Sequence, residues 1–535
     1  MKILVLGGAG VFGQRLAELL IRDGHDVVVA GRTKSALETV ARRLDCASLV
    51  VDRSGDLSPI WNAKPMVVID AAGPFHAYGT DPYSLPRAAI LHGVHYLDLA
   101  DDAAFCSQIS QLDDAAKQAG VICISGMSSV PALSSAIVAG LANGDPILAI
   151  ETGILPGNRA PRGQAVVDSI LHQAGTDITV TIDGQQQAVR SWSRSRMFGL
   201  GQGIRRRGYM IRVPDHLLFP KAFNTGTALF WAGLEVGLLN HGLAVFAWVR
   251  DKMGFGVPRW LTRLVRLLAA WLAWMGTDTG GMVVCITVKT SEAIEKREWR
   301  LVARQGEGPY IPAIPARTVL RDLDAVAPGA KPAIAVFSMA DVTSAMEDLA
   351  VTTDVVTNPV TSVFERALGA DMDQLPAAVR RTHHTVAPLY LQGEAHVERG
   401  GSAWARLLGW IFRFPVASDQ TAVQVIKMPW KDQEVWERRF GGAAYQSRLS
   451  YRRGRVVETF GPFTFELGLG VVDQTLQFPV TRGWFLGVPL PAIMLPKSET
   501  QEYEKDGLFH FDVSLLAPLT RALVVRYRGW LEPAS

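Results

Sequence analysis

Residues 1–20 read MKILVLGGAGVFGQRLAELL, and the spacing of Gly7, Gly8, Gly10 and Gly13 decides how the rest of the chain is organised. Residues 3–6 form an apolar run of strand length, and the apolar residues at 11, 12, 16, 19 and 20 recur at helical spacing. A glycine fingerprint means little by itself. Set between a strand and a helix, Gly8-Ala9-Gly10-Val11-Phe12-Gly13 is the GxGxxG of a dinucleotide site. In this reading Gly8 permits the tight turn, Gly10 removes a side chain where a pyrophosphate would lie, and Gly13 lets helix and strand approach. The start of the helix, with Val11 and Phe12, then offers N–H groups and a positive dipole end to the phosphates. The plain alternative is a turn that binds nothing.

The next apolar run, 27–29, ends in Ala30-Gly31-Arg32-Thr33-Lys34, with no acidic residue there to grip a ribose 2′-hydroxyl. Asp26 lies at the wrong end of that run. A guanidinium at Arg32, helped by Thr33, suits a 2′-phosphate, so NADP(H) is expected over NAD(H); the alternative is a solvated loop cation. Strand-like runs at 49–51, 67–69, 96–99 and 121–124 alternate with helical stretches, which predicts an α/β domain with a doubly wound parallel sheet. Asp52, after the third strand, is placed to meet the adenine edge. Ala72, Gly73 and Pro74, after the fourth, would let the nicotinamide half lie close to the main chain.

At 535 residues the chain is long enough for two or three domains. With 54 basic against 51 acidic residues and no long run of either sign, nucleic acid is not an expected partner. A mean hydropathy of +0.14 points to large buried surfaces or contact with lipid. Cys46, Cys106, Cys123 and Cys285 show neither CxxC spacing nor regular pairing, so neither a disulfide framework nor a structural zinc is expected. A short N-terminal apolar stretch with a single lysine does not read as a signal peptide, and a cytoplasmic location is expected.

The stretches GGAGVFG, VVVAGR, DAAGPFHAYG, HYLDLADD, TDTGGMVV and GPYIPAIPA resemble the saccharopine dehydrogenase-like oxidoreductases over about the first 350 residues. From 360 onward WERRFGG, ETFGPFTFELGL, GVPLPAIMLP and VRYRGWLEP resemble a bacterial domain of unknown function (DUF4166-like) found fused to this oxidoreductase type. The resemblance implies a Rossmann-like doubly wound parallel sheet over 1–140, an α+β second domain over 141–350 that returns to the first near Tyr310, and a β-rich C-terminal domain over 355–535. It implies an NADP(H) cofactor but does not imply saccharopine as substrate.

Hydride transfer is the cofactor's own chemistry, so the protein must supply a pocket and a proton donor or acceptor. Asp98, ending a strand in HYLDLADD, is the leading candidate. His76 and Tyr78, which follow the small-residue turn beside the expected nicotinamide, come next. Each has a structural alternative, a capped turn for the aspartate and packing for the other two. No hydrolytic triad or metal signature is present, and His383-His384 reads as structural.

Residues 228–249 could span a bilayer by length, but Glu235 and His241 favour a helix hairpin over a pocket. In 257–275, Arg259, Arg263 and Arg266 alternate with Trp260, Leu264, Leu267, Leu268, Trp271 and Trp274, as in a basic amphipathic helix suited to a membrane surface. After residue 354, short strands punctuated by Gly and Pro predict an antiparallel sheet or half barrel, able to hold an apolar ligand. The expected function is an NADP(H)-dependent oxidoreductase acting on a small, apolar or lipid-linked molecule, with peripheral membrane contact and a homodimer both compatible. The rival is an NADP(H)-binding sensor whose ligand sits in the C-terminal sheet.

Overall fold

A computed structural model describes all residues except 162–163, 255, 258–260, 262–263, 266, 268–270, 431–432 and 535; of the side chains of 162–168 and 273 nothing is said. Six strands open the chain: β1 (Lys2–Leu6), β2 (Asp26–Gly31), β3 (Ala47–Val50), β4 (Val67–Asp70), β5 (His95–Asp98) and β6 (Ile122–Ser125). They pair in parallel in the order β3-β2-β1-β4-β5-β6, and Gly329–Pro332 adds a seventh parallel strand beside β6. This is the doubly wound arrangement, with its topological switch between β1 and β4. The apolar runs seen in the sequence are its buried centre: Ile3 to Leu6 and Val67 to Ile69 are at most 1% exposed.

A mixed nine-stranded sheet follows. Ile147–Leu155 lies between Ala228–Ala232, its parallel neighbour, and Gly280–Lys289, its antiparallel one. The predicted helix hairpin over 228–249 is therefore half wrong. ALFWA is a buried strand of this sheet, and the helix covers only Gly237–Met253. Periodicity alone does not tell a fully buried strand from a buried helix. Glu235, between the two, binds loops together by accepting from the N–H groups of Asn158 and Thr277 (both 2.8 Å) and pairing with Arg206. Among the described residues no helix is long and apolar enough to cross a membrane. Of the basic helix expected in 257–275, Arg259, Trp260, Arg263, Arg266 and Leu268 lie outside the described residues, while Leu264, Leu267, Trp271 and Trp274 are exposed.

The chain divides into two compact units. The first takes in Met1–Thr181, Gln186–Val288 and Lys296–Asn358, so both sheets above share one unit; the second is mainly Pro359–Ser535. The second unit is built on a 13-stranded antiparallel sheet with helices Val363–Leu368 and Ala377–His383. Its strands include Ser418–Trp430, Gln433–Phe440, Ala443–Arg452 and Leu508–Leu516.

The turn after β1 is set by close backbone packing. Gly7, not Gly8, takes the left-handed conformation (φ +78°). Gly8 is instead pressed onto Val29, whose Cβ would lie 2.8 Å from a Cβ at that position. A Cβ at Gly13, the first residue of helix α1 (Gly13–Arg22), would sit 2.3 Å from the Gly7 carbonyl oxygen. Gly13→Ala should therefore cost about 1–3 kcal/mol through overpacking. Gly24→Ala, at a left-handed glycine with open space around it, should cost only about 1 kcal/mol. Urea denaturation followed by circular dichroism checks both; equal midpoints for Gly13→Ala and wild type would contradict the packing.

Candidate functional site

The loops that leave β3, β2, β1 and β4 stand side by side at the carboxyl edge of the sheet. The β1 loop is pinned from below, where the N–H groups of Gly7 and Gly8 donate to the Ala30 carbonyl at 2.8 and 3.1 Å. Gly10 closes the turn onto the Gly7 carbonyl at 2.8 Å and is itself exposed, so the surface above it is open. Among the described residues no protein group accepts from the N–H groups of Val11 and Phe12, which lie at the start of α1. Free N–H groups, an exposed glycine and a helix N-terminus together form a cradle that fits a diphosphate. Beyond β2, Arg32 and Thr33 are exposed and, among the described residues, bear no ion pair or capping bond, while Asp26 sits at the far end opposite Lys2. Asp52 is exposed past β3, and its carboxylate accepts from the Ser54 N–H at 2.9 Å. Ala72, Gly73 and Pro74 are half-buried after β4, and the Gly7 turn abuts the Ala71 carbonyl.

The three residues expected to do acid–base work are placed differently. Asp98 is fully buried and does not line the cleft. One oxygen accepts from the N–H groups of Ala100 (3.0 Å) and Gly126 (2.8 Å) and from the Ser125 hydroxyl (3.0 Å). Burial pushes its carboxyl up to about 7. Tyr78 donates to Asp70 at 3.2 Å, with the Arg53 guanidinium 3.4 Å over its ring, and burial followed by the Asp70 charge raises its phenol further. Asp70 is itself fully buried, paired with Arg53 at 2.7 Å, and accepts from the Ala72 N–H. Asp98 and Tyr78 thus belong to a buried polar cluster that shapes the strand ends. His76 is exposed, within electrostatic range of Asp101.

Asp101, three residues past Asp98 in HYLDLADD, reaches the cleft where Asp98 does not. It lines a cavity of about 270 Å³ together with Phe12 and Ser129 from the nucleotide sheet and Phe230 and Met282 from the mixed sheet. Asp101 is itself exposed at the surface, and desolvation by the surrounding protein raises its carboxyl above the usual range. Asp278, Gly280 and Gly281 of TDTGGMVV and Gly308, Pro309 and Ile311 of GPYIPAIPA also line it, so stretches distant in sequence meet at one place. Sequence reasoning missed Asp101, Arg53 and Asp70. All three sit within three residues of a position it did choose, and telling them apart requires knowing which strand-end side chain turns inward. His383, read as structural, is buried against Glu502, and the described residues contain no cluster of metal ligands.

Residues 3–124 match the family model "Saccharopine dehydrogenase NADP binding domain", and residues 375–531 match "Domain of unknown function (DUF4166)". No curated protein matches the chain. Among solved structures, the apo saccharopine dehydrogenase (L-Glu forming) of Saccharomyces cerevisiae is 13% identical, covering 66% of this chain and 99% of that chain with a TM-score of 0.47. The 3-ketoacyl-(acyl-carrier-protein) reductase of Brucella melitensis complexed with NADH is 16% identical, covering 23% and 72% with a TM-score of 0.20.

The Asp98 assignment predicts a pH dependence. Its proton is bound more tightly in the folded chain, so this group's contribution to stability is full below its ordinary 3.8 and is lost as pH rises towards about 7. Asp98→Asn keeps an accepting oxygen and removes the titration. The stability difference between wild type and variant, from urea melts between pH 4 and 7.5, should shift steadily in favour of the variant as pH rises; a constant difference would show that Asp98 is ionised throughout.

Proposed function

We propose that this chain, which joins a saccharopine dehydrogenase NADP binding domain to a DUF4166 domain, is an NADP(H)-dependent oxidoreductase acting on a small, largely apolar molecule. The observation that carries this reading is the position of Phe12, which belongs to the dinucleotide loop and also lines the cavity shared with the mixed sheet. A nicotinamide cofactor supplies hydride transfer when bound. The chain's residues then have distinct tasks. The N–H groups of Val11 and Phe12 hold the diphosphate, Arg32 and Thr33 take the 2′-phosphate, and Ala72 to Pro74 let the far half lie against the main chain. Phe230, Val130 and Met282 supply apolar walls that exclude water around the reacting carbon. Asp101, its carboxyl raised by desolvation, exchanges the proton that accompanies reduction or oxidation of a carbonyl–alcohol pair, and His76 lies close enough to bias it. The walls carry few charged groups, which suits an apolar or lipid-linked substrate.

Calorimetry with the two nucleotides tests the cofactor. Arg32→Ala should weaken NADPH binding about 10- to 100-fold, the worth of a hydrogen bond to a charged group, and leave NADH within twofold. Equal losses for both would remove the 2′-phosphate assignment. Oxidation of NADPH in the presence of a lipid extract separates an enzyme from a sensor, which would bind the nucleotide without consuming it. Asp101→Asn should lower turnover at least tenfold with NADPH affinity unchanged, whereas full activity would exclude Asp101.

A further inference from the structure

The second unit contains its own cavity, of about 210 Å³, and the strand register gives it two unlike ends. Along Lys497–Lys505, Ser498, Thr500 and Glu502 face inward in turn, and opposite them Leu515 pairs with Ser498 and Phe511 with Glu502. From Ser498 to Glu502 the cavity runs roughly 13 Å. On Ser418–Trp430 the inward series is Val423, Val425 and Lys427, again uncharged first and charged last. Between the two ends the lining is aliphatic or aromatic apart from Thr500.

The deep end is a buried ionic cluster. Lys427 is 1% exposed, donates to the Thr382 carbonyl at 2.7 Å and lies 3.7 Å from the centre of the Trp436 ring. Arg438 also stands over Trp436, at 4.7 Å, and reaches Glu458 at 3.3 Å. Glu434 accepts from the Trp436 indole N–H, and Glu502 meets His383. Burial pushes Lys427 down to about 8, His383 down to about 4 and Glu434 up. Buried charge is costly, and such a cluster at the blind end of a greasy cavity marks a binding site more than a stabilising device. Two cations face three carboxylates, so there is no surplus positive charge for an anionic ligand. A neutral oxygen that accepts from Lys427 is what this end can take.

The open end is apolar at the surface. Leu408, Phe412, Leu490, Met494 and Pro518 line the cavity there. Around them Trp410, Val416, Leu486, Val488, Ile493 and Leu519 are between 58% and 79% exposed. The pieces form one rim: the Trp404 indole donates to the Pro518 carbonyl at 3.3 Å, the Leu519 N–H to the Ile493 carbonyl at 3.2 Å, and Phe463 touches both Phe412 and Phe485. The three contributing segments, 402–417, 481–498 and 516–523, contain no Asp or Glu but carry Arg406, Arg413, Arg482, Lys497 and Arg521. Lys497 is paired with Glu499 at 2.6 Å, and the other four cations stand among exposed tryptophans and leucines, which suits an anionic lipid surface.

We propose that the C-terminal unit is a lipid-loading module, whose basic apolar rim lies on an anionic bilayer and whose cavity draws from it an apolar molecule ending in a neutral oxygen, an alcohol, aldehyde or ketone. This does not depend on the nucleotide site. Two experiments on the full chain test it. In sedimentation, the protein should bind phosphatidylcholine vesicles containing 25% phosphatidylglycerol at least tenfold better than pure phosphatidylcholine. The surface substitutions Trp410→Glu with Ile493→Glu should abolish that binding without moving the melting temperature; retained binding, or no lipid preference, overturns the rim. In solution, 1-dodecanol should displace the neutral probe N-phenyl-1-naphthylamine at concentrations at least tenfold lower than dodecanoate, and Val425→Trp should remove that site while probe bound elsewhere remains. Should Val425→Trp not fold, wild type must still retain one saturable 1-dodecanol per chain in native mass spectrometry. Absence of saturable binding, or a preference for the carboxylate, overturns the cavity assignment.

Discussion

The first unit depends on a place where main chain touches main chain. Between β1, β2 and β4 the backbone of Gly7 lies against Ala71, Gly8 lies against Val29, and α1 begins with Gly13 seated on the Gly7 carbonyl. None of these contacts leaves room for a side chain. Because they are so close, Val11 and Phe12 keep unpaired N–H groups at the surface, and Phe12 is carried to the wall of the neighbouring cavity. The glycine loop and the neighbouring cavity are therefore joined by one turn whose shape is fixed by steric exclusion.

A second regularity lies at the strand ends. Asp70 and Asp98 are register partners on β4 and β5, and each accepts from the N–H group two residues further on, Ala72 and Ala100. Each also gathers a second element, Arg53 and Tyr78 for one, Ser125 and Gly126 for the other. The two carboxylates turn the chain out of the sheet and hold the following loops in position, which is why Asp101, three residues after Asp98, lines the cleft in its place.

The nucleotide half was legible because buried parallel strands are written as uninterrupted apolar runs, and 67–69 or 121–124 can be little else between helical stretches. The antiparallel C-terminal sheet was legible through its turns and its alternation. Three things were not. ALFWA is as apolar as a helix core, and nothing in its own composition shows that it pairs with Ile147–Leu155. Which of two adjacent glycines takes the left-handed turn depends on contact with Ala71, a residue 64 positions away by the numbering. Asp98 and Asp101 are equivalent in sequence but differ in whether the side chain faces Ser125 or open space. In each case the deciding information is a tertiary neighbour.

The chain's return to the first sheet has a consequence for how the protein is made. Arg317 holds Asp23 with two hydrogen bonds of 2.7 Å and also binds Asp348, Tyr310 donates to Glu18 at 2.9 Å, and Gly329–Pro332 covers the edge of β6. On the ribosome, α1 emerges nearly three hundred residues and β6 about two hundred residues before these partners. Until then the nascent polypeptide presents an open strand edge and an uncompensated aspartate. All of the mixed sheet but its last strand, Val351–Pro359, has to be synthesised before the module that precedes it can close, so the fold that comes first in the sequence is completed late in the protein's biogenesis.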